Sequence, residues 1–323
     1  MTVTAHDAKK AVGTPDLGAI QSRLRGATPQ EVLQWALEHF GEKVALACSF
    51  GAEDVVLVDM LTRLSPKARV FTLDTGRLAQ ETYDVWDRLR KKYGLTMEVF
   101  APDATALEDF AAAEGPNAFY SSIALRKECC RIRKILPLRK ALSKLDAWIC
   151  GLRRDQSVTR ASVEKVELDA FNGNIVKINP LADWSEQQVW EYIRKHEVPY
   201  NALHDKGYPS IGCGPCTRAV KPGEDVRAGR WWWESPETKE CGLHAHEGTK
   251  KQESHKAQAM INPVTRALFE FGPVPVEAGT ELKRDLAEAS TASDRARRES
   301  GHEESLLRKV FRAVRWFLEP TFV

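Results

Sequence analysis

Val44-Ala45-Leu46-Ala47-Cys48-Ser49-Phe50-Gly51-Ala52-Glu53-Asp54 is the stretch whose reading decides the fold. Its first five residues form a nearly continuous apolar run, as expected of a parallel strand covered on both faces. The hexad Ser49 to Asp54 then precedes apolar residues at Val55, Val56, Val58, Leu61 and Leu64, which is helical spacing. A strand therefore hands over to a helix N-terminus, where exposed backbone N–H groups favour an anion. The hexad lacks the Gly-Lys-Ser/Thr ending of a Walker loop. Two readings stand: a phosphate-binding turn, and a tight strand-to-helix turn without a ligand.

Working outward, Pro29 to Phe40 shows helical spacing with proline near its start. The strand Arg69-Val70-Phe71-Thr72-Leu73 runs into Asp74-Thr75-Gly76-Arg77, a helix from about Leu78 to Tyr93, and a strand Met97 to Phe100. This alternation implies an α/β fold with a doubly wound, mostly parallel sheet, whose ligand crevice lies beyond the C-terminal ends of the strands. A helix is expected over Ile123 to Leu136, ended or kinked by Pro137. Ala147 to Cys150 is the next strand and closes in Gly151-Leu152-Arg153-Arg154-Asp155-Gln156-Ser157-Val158-Thr159-Arg160. Asn174 to Ile178 is a further strand, and Ser185 to Gln188 fits a capping box opening a helix with Val189, Trp190 and Ile193. Regular patterning then stops at His196. An irregular segment through Cys213 and Cys216 to Gly229 is expected to be functional or mobile.

The chain has 323 residues, 43% hydrophobic and 28% charged, enough for one good core with length left over for tails or a second module. Lys plus Arg number 47 against 45 Asp plus Glu, a formal charge of +2, so nothing global points to nucleic acid or an anionic membrane. Seven cysteines, no N-terminal apolar segment and no long apolar run suggest reduced thiols in the cytoplasm. Clustered cysteines are then ligands or nucleophiles rather than a disulfide framework. Cys48 and Cys150 lie inside apolar strands and read as buried core residues.

The adjacent thiols Cys129-Cys130 and the pair Cys213-Gly214-Pro215-Cys216 make up four ligands, the number for a [4Fe-4S] cluster and equally for structural zinc. Consecutive helical residues point about 100° apart. Adjacency therefore favours the cluster, since zinc ligands are usually separated by two or more residues. Arg126, Lys127, Arg131, Arg133, Lys134, Arg139 and Lys140 surround the first pair; Arg153, Arg154 and Arg160 follow a strand; Arg227 and Arg230 lie in the irregular segment. Such a run is commonly a solvated face. Its position beside thiolates and a crevice points instead to a phosphate or sulfate site, which arginine binds with its fork of donors.

Cys241, in Glu240-Cys241-Gly242-Leu243-His244, is the one cysteine outside both the strands and the four-thiol set. It is either a nucleophile, activated by nearby positive charge, or an inert surface thiol. Trp231-Trp232-Trp233 reads as packing, and His204, His244 and His246 are not first-choice ligands beside four thiols.

Ser49-Phe50-Gly51-Ala52-Glu53-Asp54, Leu73-Asp74-Thr75-Gly76-Arg77, Lys127-Glu128-Cys129-Cys130, Cys213-Gly214-Pro215-Cys216-Thr217-Arg218 and Glu240-Cys241-Gly242-Leu243-His244 together resemble the assimilatory adenylyl-sulfate reductases, over about Pro29 to His246. The resemblance implies an adenine nucleotide alpha-hydrolase-like fold. It also implies thioredoxin-dependent reduction of adenosine 5′-phosphosulfate to sulfite and AMP, in sulfate assimilation and cysteine biosynthesis, through an S-sulfo intermediate on Cys241. Carried over with it are substrate contacts at Ser49, Gly51, Leu73, Lys134, Gly151, Arg160, Arg227 and Arg230, and a [4Fe-4S] cluster on Cys129, Cys130, Cys213 and Cys216. Enzymes of the 3′-phosphorylated substrate lack those four cysteines, which favours the substrate without that phosphate. That second substrate is one alternative; an iron–sulfur ATP-dependent thiolase on a related fold is another.

The expected organisation is a disordered tail over 1–17, a reductase domain over 18–246, a weakly ordered linker over 247–303 and a basic amphipathic helix over 304–323. No cysteine follows Cys241, so the reductant, thioredoxin or a glutaredoxin-like protein, is expected from outside the chain. The last helix is read as packing on its own domain or on a second copy in a homo-oligomer, rather than on a membrane.

Overall fold

The computed structural model describes residues 17–157, 160–235 and 239. Helix α1 (Leu17–Leu24) leads to α2 (Pro29–Phe40), whose N-terminus carries a full capping box: Thr28 accepts from the Glu31 N–H while the Glu31 carboxylate accepts from Thr28. Strand β1 (Val44–Ala47) and α3 (Ala52–Leu64) follow, then β2 (Arg69–Leu73), α4 (Gln80–Tyr93), β3 (Glu98–Phe100) and α5 (Ala104–Glu114). Next come α6 (Ile123–Cys130), a π-helical turn (Arg131–Ile135) and α7 (Leu136–Leu142), and then β4 (Ala147–Ile149), β5 (Val166–Asp169), β6 (Ile175–Ile178) and α8 (Glu186–Lys195).

The strands form one sheet in the order β3-β2-β1-β4-β6-β5, parallel throughout except for β5, which pairs antiparallel with β6 at the edge. Side chains alternate across it, as strand geometry requires. Val44, Leu46, Val70, Ala147 and Ile149 join the core beneath α2, α3 and α8. Ala45, Phe71, Trp148 and Cys150 join a second core against α7. Helix α3 is buried from Val55 through Leu61, including Asp59, which accepts from Tyr93 Oη at 2.8 Å, Tyr192 Oη at 2.7 Å and Arg63 Nε at 2.8 Å. That carboxylate ties α3, α4 and α8 together, with every oxygen satisfied as a buried charge demands.

Three sequence expectations change. Pro137 does not end the helical run: it takes an early position of α7, where a missing N–H is harmless, directly after the π turn. Strand β5, α1 and α5 have no counterpart in the sequence reading. The expected tail over 1–17 overlaps α1 by one residue, since α1 begins at Leu17. The linker 247–303, the helix 304–323 and residues 1–16 lie outside the described residues. Among the described residues, no helix is long and apolar enough to cross a membrane.

Candidate functional site

Strand order runs outward in both directions from β1 and β4, so the crevice of this doubly wound sheet opens beyond their C-terminal ends. A cleft of about 800 Å³ lies there. Ser49 and Gly51 line it from the turn after β1, Leu73 from the end of β2, and Gly151 and Arg160 from the loop after β4. Lys134 joins them from the π turn, and Arg227 and Arg230 from the irregular segment. Every substrate contact carried over by resemblance thus borders one cavity.

One part of the cleft is built around Asp54. The Ser49 N–H and Ser49 Oγ both donate to its carboxylate at 2.6 Å. Burial pushes Asp54 up to about 6, against the lowering effect of those Ser49 hydrogen bonds. Phe50, the residue after Ser49, sits at φ 64°, a left-handed conformation that costs a non-glycine residue ~1–2 kcal/mol. Its buried ring is held by stacking on Trp86 at 5.6 Å. Gly151 must be glycine, because a Cβ would lie 2.5 Å from Asp54 Oδ1 and 2.9 Å from the Glu53 Cβ. The reading of this turn as a phosphate site therefore gives way to the tight-turn reading. The first turn of α3 carries Glu53 and Asp54, and the N–H of Ser49 is already used by Asp54. Glu53 is paired with the buried Arg153 at 2.8 Å, so Arg153 supports the wall and is not the anion ligand its position suggested.

The cleft is also lined by cations. Lys134 and Arg230 are each 8% exposed, and Arg133 is 9% exposed. Arg133 donates to the Thr75 carbonyl at 2.6 Å. The Arg230 guanidinium lies over Gly212, where any Cβ would collide with it, and donates to the Ile211 carbonyl at 3.1 Å. Trp231, 1% exposed, has Arg230 over its ring at 4.8 Å, Arg126 at 4.9 Å and Lys134 at 6.0 Å. Arg160 is attached to the β4 loop through Gln156, whose amide also donates to the Gly151 carbonyl at 3.1 Å.

Behind these cations the four thiols meet. Cys129 and Cys130 end α6, and Cys213 and Cys216 flank a one-turn helix; all are buried and border one small cavity with Arg77, Phe119, Arg126, Arg133 and Lys134. Lys134 and Cys213 border both cavities and form the partition between them. Burial pushes Cys216 up to about 12, with Cys213 adding to it, and burial also raises Cys129 against the opposing Arg133. Burial raises Cys213 too, but Lys134, a hydrogen bond with Thr75 at 3.3 Å, Arg230 and Arg133 outweigh it and bring that thiol below its ordinary value. Among the described residues, no three His, Cys, Asp or Glu side chains converge closely enough to hold a single metal ion. As a donor set, four buried thiols ringed by cations fit a thiolate-held cluster of net negative charge.

The rest of the basic run divides. Arg131 pairs with Glu128, and Arg154 with Asp183 and Glu164. Lys127, Arg139 and Lys140 are exposed. Arg126, fully buried, is paired with Glu234 at 2.8 Å. Cys48 and Cys150 are buried as expected, and burial raises both thiols well above their ordinary values. His204 lines the cleft; both ring nitrogens are buried without a hydrogen-bond partner among the described residues, and burial lowers its pKa. Cys241, His244 and His246 lie outside the described residues. Sequence reasoning missed Thr75, Asp54 and the role of Trp231, on whose ring Arg126, Lys134 and Arg230 gather. Thr75 and Asp54 stood inside the quoted motifs; the tryptophan carried no signal beyond its run of three.

The sequence profile of the phosphoadenosine phosphosulfate reductase domain matches residues 43–219. A relative from Allochromatium vinosum, named adenosine 5′-phosphosulfate reductase, is 54% identical over 66% of this chain and 83% of its own length. One of the same name from Burkholderia cepacia is 49% identical over 72% of this chain and 90% of its own. The crystal structure of phosphoadenylyl-sulfate reductase from Candida auris, a phosphate complex, superposes with a TM-score of 0.56 at 28% identity, covering 65% of this chain and 98% of that one. With the mostly parallel sheet and the crevice at its switch point already established, these matches settle the kinship: the chain belongs to the phosphoadenosine phosphosulfate reductase domain family.

Proposed function

We propose that this protein reduces adenosine 5′-phosphosulfate to sulfite and AMP in sulfate assimilation, in the cytoplasm, with thioredoxin or a glutaredoxin-like dithiol as electron source. The polarity of the cleft carries the reading. Around Asp54 it offers hydrogen-bond acceptors suited to an uncharged nucleoside, while Lys134, Arg227 and Arg230, which line the same cleft, suit a phosphosulfate. Relatives at 54% and 49% identity named for adenosine 5′-phosphosulfate support the substrate without a 3′-phosphate. The 3′-phosphorylated substrate is kept as a second reading, because the Candida auris structure bears that name.

In the proposed reaction the Cys241 thiolate attacks the sulfo sulfur. The bond from that sulfur to the bridging oxygen breaks, AMP leaves with the electron pair, and an S-sulfo group remains on Cys241. A thiolate of the reductant then attacks Cys241 Sγ and displaces sulfite. Its second thiol closes the disulfide, so both electrons come from the dithiol. Cys129, Cys130, Cys213 and Cys216 would hold a [4Fe-4S] cluster, which supplies fixed negative charge behind Lys134 when bound. Lys134 and Arg230 bind and orient the phosphosulfate, and Ser49 with the main chains of Leu73 and Gly151 holds the nucleoside.

The test is an intact-mass measurement without reductant. With adenosine 5′-phosphosulfate we expect one added sulfo group, mapped to the peptide containing Cys241 and absent from Cys241→Ser. Equal labelling by the 3′-phosphorylated nucleotide favours the second reading. No adduct from either nucleotide sinks both.

A further inference from the structure

We propose that Trp231 is a positioning residue for the sulfo end of the substrate: its indole face gathers Lys134, Arg230 and Arg126 at the partition between the cleft and the four-thiol cavity. This rests on the reading above of which ligand the cleft takes.

The convergence is geometric. One buried ring has Arg230 at 4.8 Å, Arg126 at 4.9 Å and Lys134 at 6.0 Å from its centroid. A cation over an indole face is held more strongly when the pair is desolvated, and Trp231 is 1% exposed. The chain also takes trouble to place the ring. Trp231 adopts φ 40°, a left-handed conformation a bulky side chain avoids, and its N–H donates to the Cys216 carbonyl at 3.0 Å. The preceding Arg230 bridges to Thr217, one residue beyond Cys216. The ring is thus anchored to the thiol loop by its backbone, while its face holds cations that border the cleft.

An aromatic ring has a specific advantage here. A carboxylate would also gather cations, but it would cancel their charge and compete with an anionic substrate. The ring quadrupole attracts the same cations and leaves their net charge intact. Arg126 illustrates the contrast, since Glu234 pairs with it at 2.8 Å while Lys134 and Arg230 are the two of the set that line the cleft.

The test measures binding in the full chain carrying Cys241→Ser, which arrests the displacement. Dissociation constants for adenosine 5′-phosphosulfate and for AMP are compared across Trp231, Trp231→Phe and Trp231→Leu, with thermal midpoint and iron content recorded for each. Phenylalanine keeps a π face and leucine does not. We expect Trp231→Leu to bind adenosine 5′-phosphosulfate at least fivefold more weakly than Trp231→Phe, with a smaller ratio for AMP. A ratio below fivefold, or an equal ratio for AMP, overturns the proposal and leaves the substrate reading standing. If the Trp231 protein itself binds AMP but no adenosine 5′-phosphosulfate, the substrate reading fails, and this proposal with it. Should Trp231→Leu not fold, fluorinated tryptophans inserted at position 231 alone replace it. They withdraw electron density from the ring at nearly constant size. Affinity should then fall stepwise with fluorination, and a flat series overturns the proposal.

Discussion

Asp54 is a carboxylate that the fold keeps nearly dry, and its titration has a definite sign. Its pKa rises from the model-compound value of 3.8 to about 6 because burial penalises the charged form. The folded state therefore holds the proton more tightly than the unfolded chain. Asp54 contributes stability that is full below about pH 4, falls as pH rises from about 4 to 6, and is lost above about 6. The Asp54→Asn variant does not ionise. Its stability relative to the parent should shift in its favour by ~2–3 kcal/mol between pH 4 and pH 7, which paired urea titrations at the two pH values would read. A pH-independent difference would mean that the carboxylate is solvated in the native state. Gly151 is the neighbouring test. An added Cβ would meet Asp54 Oδ1 at 2.5 Å and Glu53 Cβ at 2.9 Å, neither at the end of a flexible chain. Gly151→Ala should lose ~1–3 kcal/mol of stability and bind AMP more weakly, and an unchanged denaturation midpoint would contradict the packing.

The decisive element is the π turn between α6 and α7. Cys129 and Cys130 end α6, and the turn that follows delivers Arg133 and Lys134 to the partition before α7 packs Leu138, Ala141 and Leu142 on the sheet. A π turn accommodates one extra residue in an α-helix. Inserting one alanine directly after Arg131, which is exposed and paired locally with Glu128, would add a second extra residue and rotate the two cysteines by about 100° relative to α7. We expect the insertion variant to keep its far-ultraviolet dichroism and lose most of the iron and labile sulfide of the proposed cluster. Full iron retention would show that the turn does not set the thiol geometry. This element also marks what the sequence could convey. The apolar runs of β1, β2, β4 and β6 and the capping box at Ser185 were legible because local chemistry dictates them. The π turn was not, since its residues have ordinary helical spacing. Strand β5, read as Val166-Glu167-Leu168-Asp169, is short and half charged, and only its pairing with β6 makes it a strand. Helix α5 buries no residue and so leaves no stripe to find. The site follows the same division. The cysteines and cations could be named from their types and spacing, whereas the use of the Ser49 N–H by Asp54, and of Arg153 by Glu53, exists only in three dimensions.

At the scale of the whole molecule, the formal charge of +2 conceals a division of labour. Some charges of the described chain cancel in pairs away from the cleft, as in Arg69 with Glu98 and Arg218 with Glu224, while the cations of the partition are buried beside thiols and an indole. Both cavities draw every described lining residue from the span 47–231, and the described residues of the hydrophobic clusters lie between Leu17 and Trp233. Adding the proposed nucleophile Cys241 extends the required span only slightly. If cleft, thiols and Cys241 suffice, a chain ending at His246 should keep its iron, its thermal midpoint within a few degrees, and a kcat/KM for sulfite release within threefold of the full chain. The two possible roles of the extension separate in the kinetics. A drop of tenfold or more in kcat/KM with iron intact would assign it to recruiting the reductant. Lost iron with a lowered midpoint would assign it to holding the domain together.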